Sequence, residues 1–267
     1  MVDAGSLILV FIAGLITALA TGLGAIPFFF VDTVDDRWEV LLWGLASGIM
    51  VAASLFGLLE EAVAAGAYTL TGAGILTGVI LVMLSERFLD QYDVDPRDFA
   101  QADMDKLVLI LGILTIHSFP EGIAVGVSFA ELNVSGYSML GFTVPLLAIM
   151  MTIAISIHNI PEGLAISIPL RSMGVGKRGM VWWSVFSSLP QPIGAVIAFA
   201  FVKLAQQFLP FGFGFAAGAM IFLVLSEFIP EALEHGDHLD GGGRKELIAG
   251  IVIGVTLMLP FLFLDMA

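Results

Sequence analysis

His117-Ser118-Phe119-Pro120-Glu121-Gly122 and His158-Asn159-Ile160-Pro161-Glu162-Gly163 are two copies of one pattern, each sunk in a long apolar run. Imidazoles and carboxylates are costly in hydrocarbon unless something balances them. Working outward, apolar runs near or above the roughly 18 to 20 residues that cross a bilayer fall at about 6–30, 39–63, 70–89, 107–130, 138–170, 180–203, 210–230 and 247–265. The runs are continuous and do not alternate, which predicts helices and excludes a barrel. The expected fold is an all-α integral membrane protein with eight transmembrane helices in one bundle.

The composition agrees. With 267 residues, 58% of them hydrophobic and 13% charged, and a mean hydropathy of +1.01, the chain is too apolar for a soluble domain of its size. No stretch between the runs is long enough to build a second core, so residues 1–267 are expected to form a single polytopic domain. The chain has no cysteine, which excludes disulfides and thiolate ligands and leaves nitrogen and oxygen to any metal site. The net charge of −14 is spread over the loops and reads either as a solvated acidic surface suited to high salt or as an attractor for cations. No nucleic-acid partner is expected. Asp3 and the lack of a basic stretch before the first run make that run a span and not a cleaved signal peptide.

Basic residues set the orientation. Arg37, Arg87, Arg97, Lys106, Arg171, Lys177, Arg178, Arg244 and Lys245 fall in loops on one side, and Lys203 alone falls on the other. The loops after spans 1, 3, 5 and 7 are therefore expected in the cytoplasm and both termini outside it. The longest of these loops, 90–106, is acidic and short of aliphatic residues and is expected to be mobile. The loop after span 7 carries Glu234-His235-Gly236-Asp237-His238, which reads as solvated histidines or as a weak cytoplasmic metal-collecting site.

In a helix, positions i and i+4 share a face, so His117 lies above Glu121 and His158 above Glu162. Pro120 and Pro161 lack an N–H and are expected to bend the helices at the site. Gly122 and Gly163 permit close helix contact there. Spans 4 and 5 are consecutive, joined by a short outer loop around 132–138, and are expected to be antiparallel neighbours. Two imidazole nitrogens and two carboxylate oxygens suit Zn²⁺, Fe²⁺, Mn²⁺ or Co²⁺ and are a poor choice for K⁺, Na⁺ or Mg²⁺. Charge closes as well, because Glu121 and Glu162 balance one divalent cation.

With these units in place the chain resembles the ZIP family of divalent metal transporters, in particular its prokaryotic GufA-like branch. The resemblance extends over nearly all of the chain and implies a mid-membrane metal site built from His117, Glu121, His158 and Glu162. It places Asn159 at a further polar ligand position and Met50 of span 2 beside the metal, and it implies a homodimer. Two departures stand out. The family's first unit usually reads His-Asn, where this chain has Ser118, and its span 6 usually carries a Glu before its Pro, where this chain has Gln191. Loss of that carboxylate removes charge that a second dication would need. One principal metal is therefore expected, with Ser118, Asn159 and Gln191 as an auxiliary oxygen shell.

Acids at the span ends suggest a route, with Glu60 and Glu61 as the entrance and Glu86, Glu227 and Glu231 as the exit; each also reads as an ordinary helix-end residue. The expected function is transport of a divalent transition metal, Zn²⁺ foremost with Fe²⁺, Mn²⁺ or Cd²⁺ behind it, across the plasma membrane into the cytoplasm. The metal is the substrate, and no resident cofactor is expected. The alternatives are a metal-selective channel and an intramembrane metallohydrolase. A zinc protease would want His-Glu-x-x-His, which neither unit contains, and four protein ligands leave no open position for a catalytic water, so no enzyme is expected.

Overall fold

The structure, a computed structural model, describes residues 3–31, 34–90, 118–172 and 174–265. His117, the start of the fourth expected span and all but the first residue of the expected 90–106 loop lie outside the described residues.

Asp3 caps the first helix, α1 (Ala4–Thr21), by accepting bonds from the Ser6 amide at 3.0 Å and the Ser6 hydroxyl at 2.6 Å. Those two bonds hold the Asp3 carboxyl below the usual carboxylate range. The helix tightens into 3₁₀ turns over Gly22–Phe29, where Pro27 cannot donate. After Asp35 caps it through the Arg37 amide, α2 (Asp36–Ala53) continues through wide π turns over Ser54–Leu59 into α3 (Glu60–Ala64). Then follow α4 (Tyr68–Asp90), α5 (118–128), α6 (Leu146–Ser172), α7 (Lys177–Ser187) and α8 (Pro190–Leu204). The chain closes with α9 (Leu209–Leu223), a second set of π turns over Val224–Phe228, α10 (Ile229–His235) and α11 (Arg244–Asp265).

Six stretches among the described residues are long and apolar enough to cross a membrane: Ala4–Phe29, Asp36–Ala64, Tyr68–Ser85, Leu146–Ile168, Lys177–Leu204 and Gln206–His235. Their outer faces are apolar at helical spacing, with Ile8, Phe11, Ile12, Ile16 and Leu19 exposed on α1 and Ile193, Ile197, Phe201 and Leu204 on α8. A surface of that kind suits hydrocarbon and would be a liability in water.

One expectation about the spans is corrected. The stretch 138–145, expected to begin the fifth span, is an antiparallel hairpin of β1 (Tyr137–Met139) and β2 (Phe142–Val144), and helix begins only at Leu146. The backbone explains it: Asn133, Gly136, Leu140 and Gly141 all have positive φ, which a helix cannot use. Asn133 also ties down the hairpin, its amide donating to the Thr143 carbonyl at 2.8 Å while its side chain accepts from the Thr143 amide at 3.1 Å. The sixth span stands as the single stretch Lys177–Leu204, with its helix interrupted at Ser188 and Leu189, because Pro190 and Pro192 can open a new helix but cannot continue the old one.

Glycines draw the helices into two sets. A methyl group added to Gly48 of α2 would strike the Ile251 carbonyl of α11, and one on Gly250 of α11 would strike the Leu41 carbonyl of α2. The α4 and α9 pair locks in the same way, Gly78 against the Phe215 carbonyl and Gly214 against the Thr71 carbonyl. On the other side α1 packs on α6 and α8, α7 on α6, and α5 on α8. Between the sets, α2 lies along α6 through side chains such as Met150, which fills the space beside Gly57. Ile49, Met50, Met151, Ile155 and Met220 form the buried centre where the two sets meet.

Candidate metal centre

Three helices deliver the site. Ser118 and Glu121 come from α5, His158, Asn159 and Glu162 from α6, and Gln191 from the first turn of α8. The glycine of each repeated unit is where a neighbour comes closest: a methyl on Gly122 would strike the Gln191 carbonyl, and one on Gly163 would strike the Thr21 carbonyl. Those glycines let α8 and the end of α1 press against the polar turn of α5 and α6. The helix α6 runs on through Pro161.

Glu121, His158 and Glu162 each bring a ligand atom, and these atoms all lie within 4.8 Å of one another. The three residues are 2%, 0% and 6% exposed, so their charge is hidden from water. His158 Nε2 lies 3.0 Å from Glu121 Oε1. Its ring stacks on Phe228 with centroids 5.2 Å apart, and Phe228 in turn meets Trp43 edge-on at 4.9 Å.

A chain of amides frames the carboxylates. Asn159 Nδ2 donates to the Thr17 carbonyl at 2.7 Å and to Gln191 Oε1 at 3.0 Å. Gln191 Nε2 donates onward to Glu121 Oε2 at 2.5 Å. Gln191 thus turns its N–H toward Glu121 and its oxygen toward Asn159. Ser118 Oγ, His158 Nδ1, Asn159 Oδ1 and Glu162 Oε2 are buried with no hydrogen-bond partner among the described residues. Buried polar atoms are rarely left so, and four of them on one constellation of nitrogen and oxygen donors fit a bound cation with its inner water.

The remaining sequence candidates are distributed around this centre. Met50 is buried in the core where the helix sets meet. Glu227 lies in the π turns and interacts electrostatically with Glu162. Glu231 is on α10, its Oε1 3.5 Å from His235 Nδ1. Glu60 and Glu61 begin α3, Glu60 exposed and Glu61 half-buried. Glu86 lies on α4, and its side chain is outside the described residues. Sequence reasoning missed the Thr17 carbonyl, which no pattern marks, and Phe228, whose stacking is a product of tertiary packing. It also gave no role to Glu39, although a carboxylate beside Val40 and Leu41 at the start of an apolar run is a visible signal.

A family model described as ZIP Zinc transporter matches residues 93–261, more than half of the chain. The chain belongs to the ZIP family. The ZIP chain is 28% identical over 265 residues to zinc transporter GufA of Myxococcus xanthus, covering 93% of this chain and 95% of GufA. It is 32% identical over 260 residues to zinc transporter ZIPB of Bordetella bronchiseptica, covering 93% of this chain and 77% of ZIPB. A relative from Arabidopsis thaliana is 44% identical over 218 residues, 81% of this chain, which spans only 33% of that longer protein. The ZIP chain is accordingly a multi-pass membrane protein of a transporter family and not an enzyme.

Proposed function

We propose that this ZIP protein carries a divalent transition-metal ion, Zn²⁺ foremost, across the plasma membrane into the cytoplasm through a site of His117, Glu121, His158 and Glu162. The observation that carries this reading is the convergence of three buried ligand atoms within 4.8 Å. Two carboxylates and an imidazole that close, shielded from water, are balanced by a dication. Fe²⁺, Mn²⁺ and Cd²⁺ fit the same donor set.

The reading extends to one polytopic domain over residues 1–267, with eight spans and both termini outside the cytoplasm. The basic residues support the orientation. A homodimer rests on the family resemblance alone. One metal is the expected load: the Gln191 N–H already lies on Glu121 Oε2, where a second cation would otherwise bind. Ser118 and the free oxygen of Asn159 are the auxiliary donors, and Met50 flanks the site. Glu60 and Glu61 attract the ion at the entrance, and Glu227, Glu231 and Glu86 line its exit.

Burial of Glu121, His158 and Glu162 at 6% exposure or less favours a carrier over an open channel. These three residues belong to the set of α1, α5, α6, α7 and α8, which among the described residues meets the other set through side chains and not through locked glycine backbones. Sliding of the first set against the second would alternate access. In proteoliposomes loaded with a chelating dye, saturable Zn²⁺ uptake is expected to fall at least about tenfold in His158→Ala and in Glu162→Ala. Unaltered uptake in either variant removes the site assignment, and counterflow of unlabelled metal separates a carrier from a channel.

A further inference from the structure

A second group of metal-binding side chains lies at the far end of the other helix set, where the start of α2 meets α10. Glu39, on the first turn of α2, is only 7% exposed. Facing it is His235, the last residue of α10, with Nε2 3.5 Å from Glu39 Oε2. The other ring nitrogen, Nδ1, lies 3.0 Å from the Glu231 carbonyl and 3.5 Å from the Glu231 carboxylate. A proton on Nδ1 donated to that carbonyl leaves the Nε2 lone pair directed at a buried carboxylate. A proton or a metal ion held between these two electron-rich atoms offsets their repulsion.

The spacing also suits a metal ion. At 3.5 Å the pair is longer than a good charge-assisted hydrogen bond. An oxygen and a nitrogen bound to one tetrahedral Zn²⁺, at bond lengths of roughly 2.0–2.1 Å, sit about 3.3 Å apart. The surroundings add negative charge, because Asp35, Asp36 and Glu231 all act on Glu39 as like charges. A second imidazole, His238, lies 2.6 Å from Asp36 at the same mouth. Neither Glu39 nor His235 belongs to the deep centre, and they sit on the helix set that does not carry it.

We infer that Glu39 and His235 form a separate binding site for a divalent transition metal at the mouth between α2 and α10, with Glu231 holding the His235 ring. Only two protein ligands are in place, so water completes the shell and the ion is held weakly enough to leave. With the basic-residue orientation this mouth opens to the cytoplasm, and in that respect the site's role as the last stop before release rests on the proposed direction of transport.

The test is Co²⁺ titration of the full chain in detergent, followed by the visible absorption of the bound metal and by calorimetric stoichiometry. The starting protein is His158→Ala with Glu162→Ala, which disables the deep centre. It is expected to retain one Co²⁺ that depends on His235: adding Glu39→Gln or His235→Ala should weaken that binding at least about tenfold. Unchanged elution as a single species in size-exclusion chromatography shows that each variant is folded. Binding unaffected by either substitution, or no Co²⁺ retained by the starting protein, overturns the inference. If wild-type transport proves independent of His158 and Glu162 while the His235-dependent equivalent persists, the deep-site reading fails and this one stands.

Discussion

At the scale of single residues, Gln191 of α8 is the side chain that joins Glu121 of α5 to Asn159 of α6. Its amide occupies both neighbours, accepting from Asn159 and donating to Glu121. Gln191→Glu should replace that donor with charge, and a unit charge about 4 Å from a dication at an effective dielectric near 20 is worth several kcal/mol. The variant is expected to bind one Zn²⁺ more than the wild type, read by calorimetric stoichiometry. A stoichiometry unchanged from the wild type would mean that something other than the missing carboxylate limits the load. The convergence of Glu121, His158 and Glu162 was legible because ionisable groups in an apolar run are conspicuous and the repeat places them on neighbouring spans. The orientation of Gln191 was not, since an amide can present either its oxygen or its N–H and only the partners on α1 and α5 decide. Glu39 went unread for a related reason: its burial depends on α10, almost two hundred residues later in the chain.

Among the elements, the glycine contacts make the sharpest expectations. Gly48→Leu places a branched side chain against the Ile251 carbonyl of α11. Overpacking of this kind costs about 1–3 kcal/mol or more, so the variant should unfold at lower temperature in detergent. Gly66, which a methyl group would leave untouched but which has φ +70, offers a contrast: Gly66→Asn should be nearly silent, because Asn tolerates the left-handed region. The helices themselves were readable from continuous apolar runs. The hairpin 137–144 was not, because Tyr137, Met139, Leu140, Phe142 and Val144 are as apolar as the helix that follows. Only Gly136, Gly141 and Pro145 punctuate it, and runs counted by hydrophobicity pass over such marks. The break at Ser188 and Leu189 was hidden in the same way.

For the whole molecule, the question is whether two sets of helices move as bodies. The chain has no native cysteine, so an introduced pair reports without background. Gly57→Cys with Met150→Cys spans the two sets, where a methyl on Gly57 would meet the Met150 side chain. Bridging this pair with Hg²⁺ or a short dithiol reagent should stop metal uptake, and reduction should restore it. A pair within one set, Ser167→Cys with Ser184→Cys between α6 and α7, whose hydroxyls lie 3.2 Å apart, should bridge without arresting uptake. Equal arrest by both pairs would describe a single rigid body that conducts without sliding.

The wide turns at Val224–Phe228 alter how the last part of that span has to be drawn. Each such turn carries one residue more than regular helix allows, and one residue is about 100° of rotation. A helical wheel projected straight through 224–228 therefore puts everything beyond it out of phase. Glu227 and Glu231, four apart in sequence, look like one stripe on that wheel. In the folded chain Glu227 answers to Glu162 and Glu231 to His235. One helix thereby turns carboxylates a single turn apart toward the two proposed metal sites, and deleting one residue in 224–228 would swing Glu231 and His235 together about 100° away from Glu39.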